Sequence, residues 1–197
     1  MGRRAVFLDK DGTLVKDVPY NVDPQRIELA PEAPSALRML RDFGFELIVV
    51  TNQPGVALGY FPVTAMAEVE RRLAELLADS DIRLSGFYYC PHHPQAGQLG
   101  HGSACDCRKP APGLLLRAAA DHRLDLKSSW LVGDILDDVE AGRRAGCRTV
   151  LVDRGGETEW KRSPSRDPDY IAGDLLEAAA CIVEAAQCSA VGASFET

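Results

Sequence analysis

The chain has 197 residues, 46% of them hydrophobic and 26% charged, with a formal net charge of −7. That length and apolar content suit one domain with a sizeable core. The acidic balance argues against a nonspecific nucleic-acid or anionic-membrane binder, since no broad basic field exists to release counterions. A small phosphorylated ligand stays compatible, because a local cation cluster or a bound metal reverses the sign inside one cleft. No apolar run approaches the roughly 18 residues needed to cross a bilayer. The first apolar stretch, 5–8, is ended by Asp9 and Lys10, too soon for the core of a signal peptide. A cytoplasmic protein is the expectation.

In chain order, 5–8 reads as a buried strand. Residues 32–43 read as a helix, with Leu37, Leu40 and Phe43 on one side and Gly44 as its stop. Residues 46–50, apolar from Leu47 to Val50, read as a fully buried strand. Thr64 can cap a helix to about Asp79, in which Met66, Val69, Leu73, Leu76 and Leu77 recur at helical spacing. Strand 86–89 follows, then a helix over 112–122 with Pro112 at an early position. Strand 130–133, helix 137–145 stopped by Gly146, and strand 148–152 come next. A last helix spans 174–187, and the small, polar tail 188–197 is expected to be disordered.

Strand–helix alternation of this kind predicts an α/β fold, a three-layer Rossmann-like parallel sheet with helices on both faces. No linker divides the chain, so 1–187 reads as one domain. Ligands of such sheets bind at the carboxyl ends of the strands. Asp9 and Asp11 follow the first strand, Thr51, Asn52 and Gln53 the second, Cys90 and His92 the third, and Asp134 the fourth. Four strands thus hand polar or metal-capable residues to one edge.

The chemistry of that edge follows from its residue types. A carboxylate can attack phosphorus to give an aspartyl-phosphate, and a second acid can protonate the leaving alkoxide and later deprotonate water. Asp9 and Asp11 lie two apart, Gly12 allows a tight turn after them, and Thr13 adds a hydroxyl. Two anions would repel an incoming phosphate unless a hard cation such as Mg²⁺ is present.

Six cysteines occur, and Cys90, Cys105 and Cys107 crowd into one 18-residue window with histidines. This is no disulfide framework; it suggests a metal site in a reducing compartment. Three thiolates and one imidazole are a common closed tetrahedral Zn²⁺ set, with His92, His93 and His101 as rival imidazoles. The glycine-bearing stretch 95–104 has no core of its own, so a metal would order the 90–107 loop.

The run Phe7-Leu8-Asp9-Lys10-Asp11-Gly12-Thr13 resembles the first motif of the haloacid dehalogenase (HAD) superfamily. Thr51-Asn52-Gln53 resembles its second motif, Lys109 within 107–113 its third, and Gly133-Asp134 with Asp137 and Asp138 its fourth. The resemblance covers about residues 5–155, with the motifs in order. It implies that Asp9 is the nucleophile and Asp11 the general acid/base. Thr51 and Lys109 would hold phosphoryl oxygens. Mg²⁺ would be bound by Asp9, the Asp11 backbone carbonyl and Asp134, with Asp138 as a supporting carboxylate.

Tyr88-Tyr89-Cys90-Pro91-His92-His93-Pro94, followed by Cys105-Asp106-Cys107-Arg108-Lys109-Pro110, resembles the zinc-containing branch of that superfamily. That branch holds D-glycero-D-manno-heptose 1,7-bisphosphate 7-phosphatases and histidinol-phosphatase domains, and it lacks a large cap domain. The likeness selects His92 with Cys90, Cys105 and Cys107 as the zinc ligands. It places Asp17, Tyr20, Thr51, Asn52, Gln53, Arg108 and Lys109 at the substrate. Two positions depart from the heptose pattern: Ile135 stands where a substrate-touching Lys is usual, and Pro54 where Ser is common. The expectation is a monomeric hydrolase of small sugar-phosphate monoesters. Heptose 1,7-bisphosphate leads as substrate, with histidinol phosphate or another small monoester as the alternative. A catalytically silent, zinc-stabilised binding module is the reading from another class.

Overall fold

A computed structural model describes residues 2–94, 96 and 105–192. Apolar runs become strands and amphipathic runs become helices, in the order β1 (Ala5–Leu8), α1 (Ala33–Asp42), β2 (Glu46–Asn52), α2 (Ala65–Ala78), β3 (Gly86–Cys90) and α3 (Gly113–His122). β4 (Trp130–Gly133), α4 (Leu136–Ala145), β5 (Arg148–Val152), β6 (Tyr170–Ala172) and α5 (Leu175–Gly192) complete it. The strands form one parallel sheet in the order β3-β2-β1-β4-β5-β6.

Strand periodicity sorts the core into two faces. Val6 and Leu8 of β1, with Leu47 and Val49 of β2, pack with Leu37 and Leu40 of α1, Leu73 of α2 and Ile182 of α5. Ala5, Phe7, Ile48 and Val50 face the other way, onto Leu114, Leu115 and Ala118 of α3 and Ala141 of α4. β1 is wholly buried, and each Val, Leu or Phe removed from water there contributes about 1.5–3 kcal/mol. The strand ends that carry the polar residues therefore stand on a fully buried part of the sheet.

The connections run outward from β1 to β3 on one side, and the chain then returns to place β4 beside β1, with Leu8 opposite Val132. The topology switches direction between β1 and β4. The crevice outside their carboxyl ends is where such sheets take ligands. No separate cap covers that edge among the described residues.

The structure departs from the sequence expectation in four places. β2 runs two residues further, because Thr51 and Asn52 pair with Tyr89 and Cys90 of β3. Thr64 occupies the N-cap position of α2, but its side chain makes no capping hydrogen bond. A sixth, three-residue strand, β6, extends the sheet beyond β5. The last helix continues past residue 187 to Gly192, so the start of the expected tail is helical; 193–197 lie outside the described residues. No helix among the described residues is long and apolar enough to cross a membrane.

Candidate active site

The amide of Asp9 donates to the Val132 carbonyl at 2.9 Å, so the β1–β4 pairing carries the chain one residue past β1 before it turns. This sets the Asp9 carboxylate at the switch point. Lys109 reaches it from the loop before α3. Its Nζ lies 2.5 Å from Asp9 Oδ1 and 2.5 Å from Asp138 Oδ1, and donates to the Val50 carbonyl at 3.0 Å. The lysine is only 2% exposed. Burial alone would favour its neutral form, but the Asp138 and Asp9 carboxylates outweigh that and hold its pKa above the usual lysine range. A buried ammonium beside the carboxylate is what a phosphoryl group in transfer needs for its equatorial oxygens.

Asp11 points elsewhere. Its Oδ1 lies 2.5 Å from Lys10 Nζ, and its Oδ2 accepts from Gln53 Nε2 at 2.9 Å. Gln53 Nε2 also reaches Thr51 Oγ1 at 3.0 Å, which links the ends of β1 and β2. Burial raises the Asp11 pKa; Lys10 opposes the shift and Asp9 adds to it. A carboxyl whose pKa is raised and whose direction is fixed by two partners is suited to hand over a proton. Thr13 is buried, and its hydroxyl has no hydrogen-bond partner among the described residues.

Asp9, Asp134 and Asp138 offer carboxylate oxygens that all lie within 4.8 Å of one another. An all-oxygen set of this kind suits a hard divalent cation. Against three carboxylates Lys109 sets a single positive charge. Burial, then the charges of Asp9 and Asp138, push the Asp134 carboxyl up to about 8 against the pull of Lys109. A bound cation reverses that balance. The backbone makes room as well: at Gly12 (φ +78°) an added Cβ would stand 2.2 Å from Asp134 Oδ2. The third carboxylate of the group is that of Asp138; the Asp11 side chain is engaged by Lys10 and Gln53 instead.

The second cluster lies at the ends of β3 and its following loop. Cys107 Sγ is 3.1 Å from Cys90 Sγ and 3.3 Å from His92 Nδ1, and Cys90 Sγ is 3.6 Å from Cys105 Sγ and 3.5 Å from His92 Nδ1. A tetrahedron with metal–sulfur bonds of about 2.3 Å has edges of roughly 3.8 Å, so these four atoms already approximate the corners of one. The separations are far beyond a disulfide, and all three cysteines are free. The group can hold a metal ion. Of the rival imidazoles, His92 is in the cluster, and His101 lies outside the described residues, as does most of 95–104.

The predicted substrate residues divide. Arg108 and Lys109 line a cleft of about 230 Å³ with His92, Pro94, Cys105, Pro110 and Asp137, and Arg108 Nη1 donates to the His92 carbonyl at 3.3 Å. Asn52 turns its side chain to the Lys109 backbone. Asp17 and Tyr20 are exposed on the loop after β1, and the Tyr20 ring packs edge-on against Tyr60 with centroids 4.8 Å apart. Ile135 is half-buried at the N-cap of α4. Sequence reasoning gave no role to Lys10, which is 1% exposed and holds Asp11. The available signal was a lysine set directly between two aspartates.

The parallel sheet and its strand-end carboxylates define a HAD-like hydrolase, and a HAD-hydrolase-like family model matches residues 106–178. The chain is 40% identical over 153 residues to the D-glycero-beta-D-manno-heptose-1,7-bisphosphate 7-phosphatase of Escherichia coli K12, covering 78% of this chain and 80% of that one. The protein of the same name from Pasteurella multocida is also 40% identical, over 78% of this chain and 83% of its own. The structure of the D,D-heptose 1,7-bisphosphate phosphatase from B. bronchiseptica, complexed with magnesium and phosphate, superposes with a TM-score of 0.76 at 26% identity, over 92% of this chain and 99% of that one. The chain belongs to the D-glycero-beta-D-manno-heptose-1,7-bisphosphate 7-phosphatase family.

Proposed function

We propose that this chain is a Mg²⁺-dependent phosphatase that removes the 7-phosphate of D-glycero-D-manno-heptose 1,7-bisphosphate through an aspartyl-phosphate on Asp9. The observation that carries the reading is the buried Lys109 ammonium 2.5 Å from the Asp9 carboxylate, at the switch point of the sheet. The Asp9 carboxylate attacks phosphorus, forming a P–O bond as the bond to the sugar oxygen breaks, and Asp11 gives its proton to the departing alkoxide. Water then attacks the same phosphorus, Asp11 takes its proton, and the Asp9 carboxylate leaves. Lys109 and the Thr51 hydroxyl hold the equatorial oxygens throughout. Asp9, Asp134 and the Asp11 carbonyl would hold Mg²⁺, which, when bound, offsets repulsion between nucleophile and phosphate. Asp138 keeps Lys109 charged and in place.

Cys90, His92, Cys105 and Cys107 would hold a structural Zn²⁺ that orders the loop carrying Arg108, and the planar guanidinium of Arg108 suits a second phosphate or sugar oxygens. Asp17, Tyr20, Asn52 and Gln53 complete the substrate surface in this reading. The same reading takes the chain as one catalytic domain, acting as a cytoplasmic monomer on a small phosphorylated substrate, with neither nucleic acid nor membrane as partner.

Histidinol phosphate is the second substrate, because Ile135 supplies no cation for a second phosphate where the heptose pattern has Lys. Ile135 sets an apolar side chain two residues beyond β4, at the N-cap of α4. Phosphate release measured on heptose 1,7-bisphosphate, histidinol phosphate and other small monoesters with Mg²⁺ tests both. Highest kcat/KM on the heptose bisphosphate is expected. A clear preference for histidinol phosphate overturns the substrate, and no turnover on any ester overturns the enzyme.

A further inference from the structure

The segment between β5 and β6 returns to the catalytic edge and is fastened there by one side chain. Glu157 Oε2 accepts from the Leu136 N–H at 2.7 Å, and Leu136 is the first residue of α4, two places after Asp134. The other oxygen, Oε1, accepts from the N–H groups of Glu159 at 2.7 Å and Trp160 at 3.3 Å. Ile135, at the N-cap, has no side-chain acceptor, and Glu157 supplies from a distant loop an acceptor for one of the unpaired first-turn N–H groups of α4. Burial opposes its ionisation, but the N–H donors around it prevail and keep its carboxyl below the usual range.

The residue before it touches the site. At Gly156 an added Cβ would stand 2.3 Å from Asp134 Oδ2, and at Gly12 the corresponding distance is 2.2 Å. The Asp134 carboxylate therefore lies in a slot between two backbones, one from the turn after β1 and one from the β5–β6 segment. We infer that Glu157 is a positioning residue: it docks the β5–β6 segment on the N-terminus of α4, holds Gly156 against Asp134, and so sets the Mg²⁺ affinity of the Asp9–Asp134 site. A ligand oxygen confined to one direction binds with less reorganisation, which is why groups outside the coordination sphere tune metal affinity. The inference rests on the reading of Asp134 as a Mg²⁺ ligand.

The test is calorimetric titration of the full chain with MgCl₂, alongside thermal melting, for the wild type and for Glu157→Ala, Glu157→Gln and Asp134→Asn. Glu157→Ala is expected to raise the Mg²⁺ Kd about ten-fold. Glu157→Gln, which keeps a carbonyl acceptor for Leu136, is expected to recover most of that loss. An unchanged Kd in Glu157→Ala, with binding lost in Asp134→Asn, overturns the inference and leaves the metal site standing. Unchanged Mg²⁺ binding in Asp134→Asn overturns both. A weaker Kd that Glu157→Gln does not recover, with a matching fall in Tm, marks a general structural role and also overturns it.

Discussion

The side-chain amide of Asn52 holds the backbone of Lys109 by donor and acceptor together: Nδ2 donates to the Lys109 carbonyl at 3.1 Å, and the Lys109 N–H donates to Oδ1 at 3.0 Å. Asn52 is the last residue of β2 and pairs in register with Cys90, the first of the four clustered metal-type ligands. One amide therefore ties the backbone of the buried Lys109 to the sheet beside the Cys/His cluster. The neighbouring Arg108 adds a second tie, donating to the His92 carbonyl.

Asn52→Ala removes both hydrogen bonds and lets the Lys109 loop shift. A net hydrogen bond is worth about 1 kcal/mol, so stability should fall by roughly 2 kcal/mol. A loss of kcat/KM of about ten-fold or more should accompany it, since small misplacements are costly in phosphoryl transfer. Denaturant unfolding and steady-state phosphate release read the two effects.

Lys109→Met leaves the buried Asp138 and Asp9 carboxylates without their cation. Removing one partner of a buried pair costs about 3–5 kcal/mol. Losing the oxygen-holding charge should also lower kcat by about 10²–10³. A variant that unfolds at the same urea concentration as the wild type would contradict the pairing.

The two glycines 12 and 44 separate site geometry from backbone strain. Both have positive φ, +78° and +84°, but a Cβ on Gly12 meets the Asp134 carboxylate at 2.2 Å, whereas on Gly44 the nearest atom is Arg4 Nη2 at 3.9 Å. Gly44→Ala should cost about 1 kcal/mol of stability and leave kcat unchanged. Gly12→Ala should depress kcat by at least about ten-fold through displacement of Asp134. Equal activities in the two variants would show that Asp134 need not be where it stands.

Cys107→Ser should lower zinc content and Tm together, and weaken substrate binding through the adjoining Arg108 and Lys109. Elemental analysis with KM measurement checks this; unchanged metal stoichiometry would remove Cys107 from the site.

The sheet was legible where it is buried on both faces: β1 and β4 are short apolar runs, and β5 is apolar from Val150 to Val152, with no competing period. β6 was not, because it is three residues long at the sheet edge and its central Ile171 is 57% exposed, so no periodic signal exists. The helix end at Gly192 was not legible, because the small residues of 188–192 carry no apolar periodicity and suit a tail as well as a helix end. In the site, strand-end placement made Asp9 and Asp134 visible, and Lys109 was visible through its motif. The work of Asn52 was not visible: its partner is 57 residues away in sequence, and nothing local distinguishes a substrate-facing amide from one that braces a loop. Lys10 escaped for a related reason, since an exposed lysine is the default and its burial follows only from the folded structure.

The central claim, that Asp9 carries the phosphoryl group, is tested most directly by trapping. Turnover of heptose 1,7-bisphosphate is quenched in acid, treated with borohydride and digested, because borohydride reduces an acyl phosphate to the alcohol. Peptide mass spectrometry should then find homoserine at position 9 and unmodified Asp11. Unmodified Asp9 under conditions where phosphate is being released, or reduction at another carboxylate, would contradict the account.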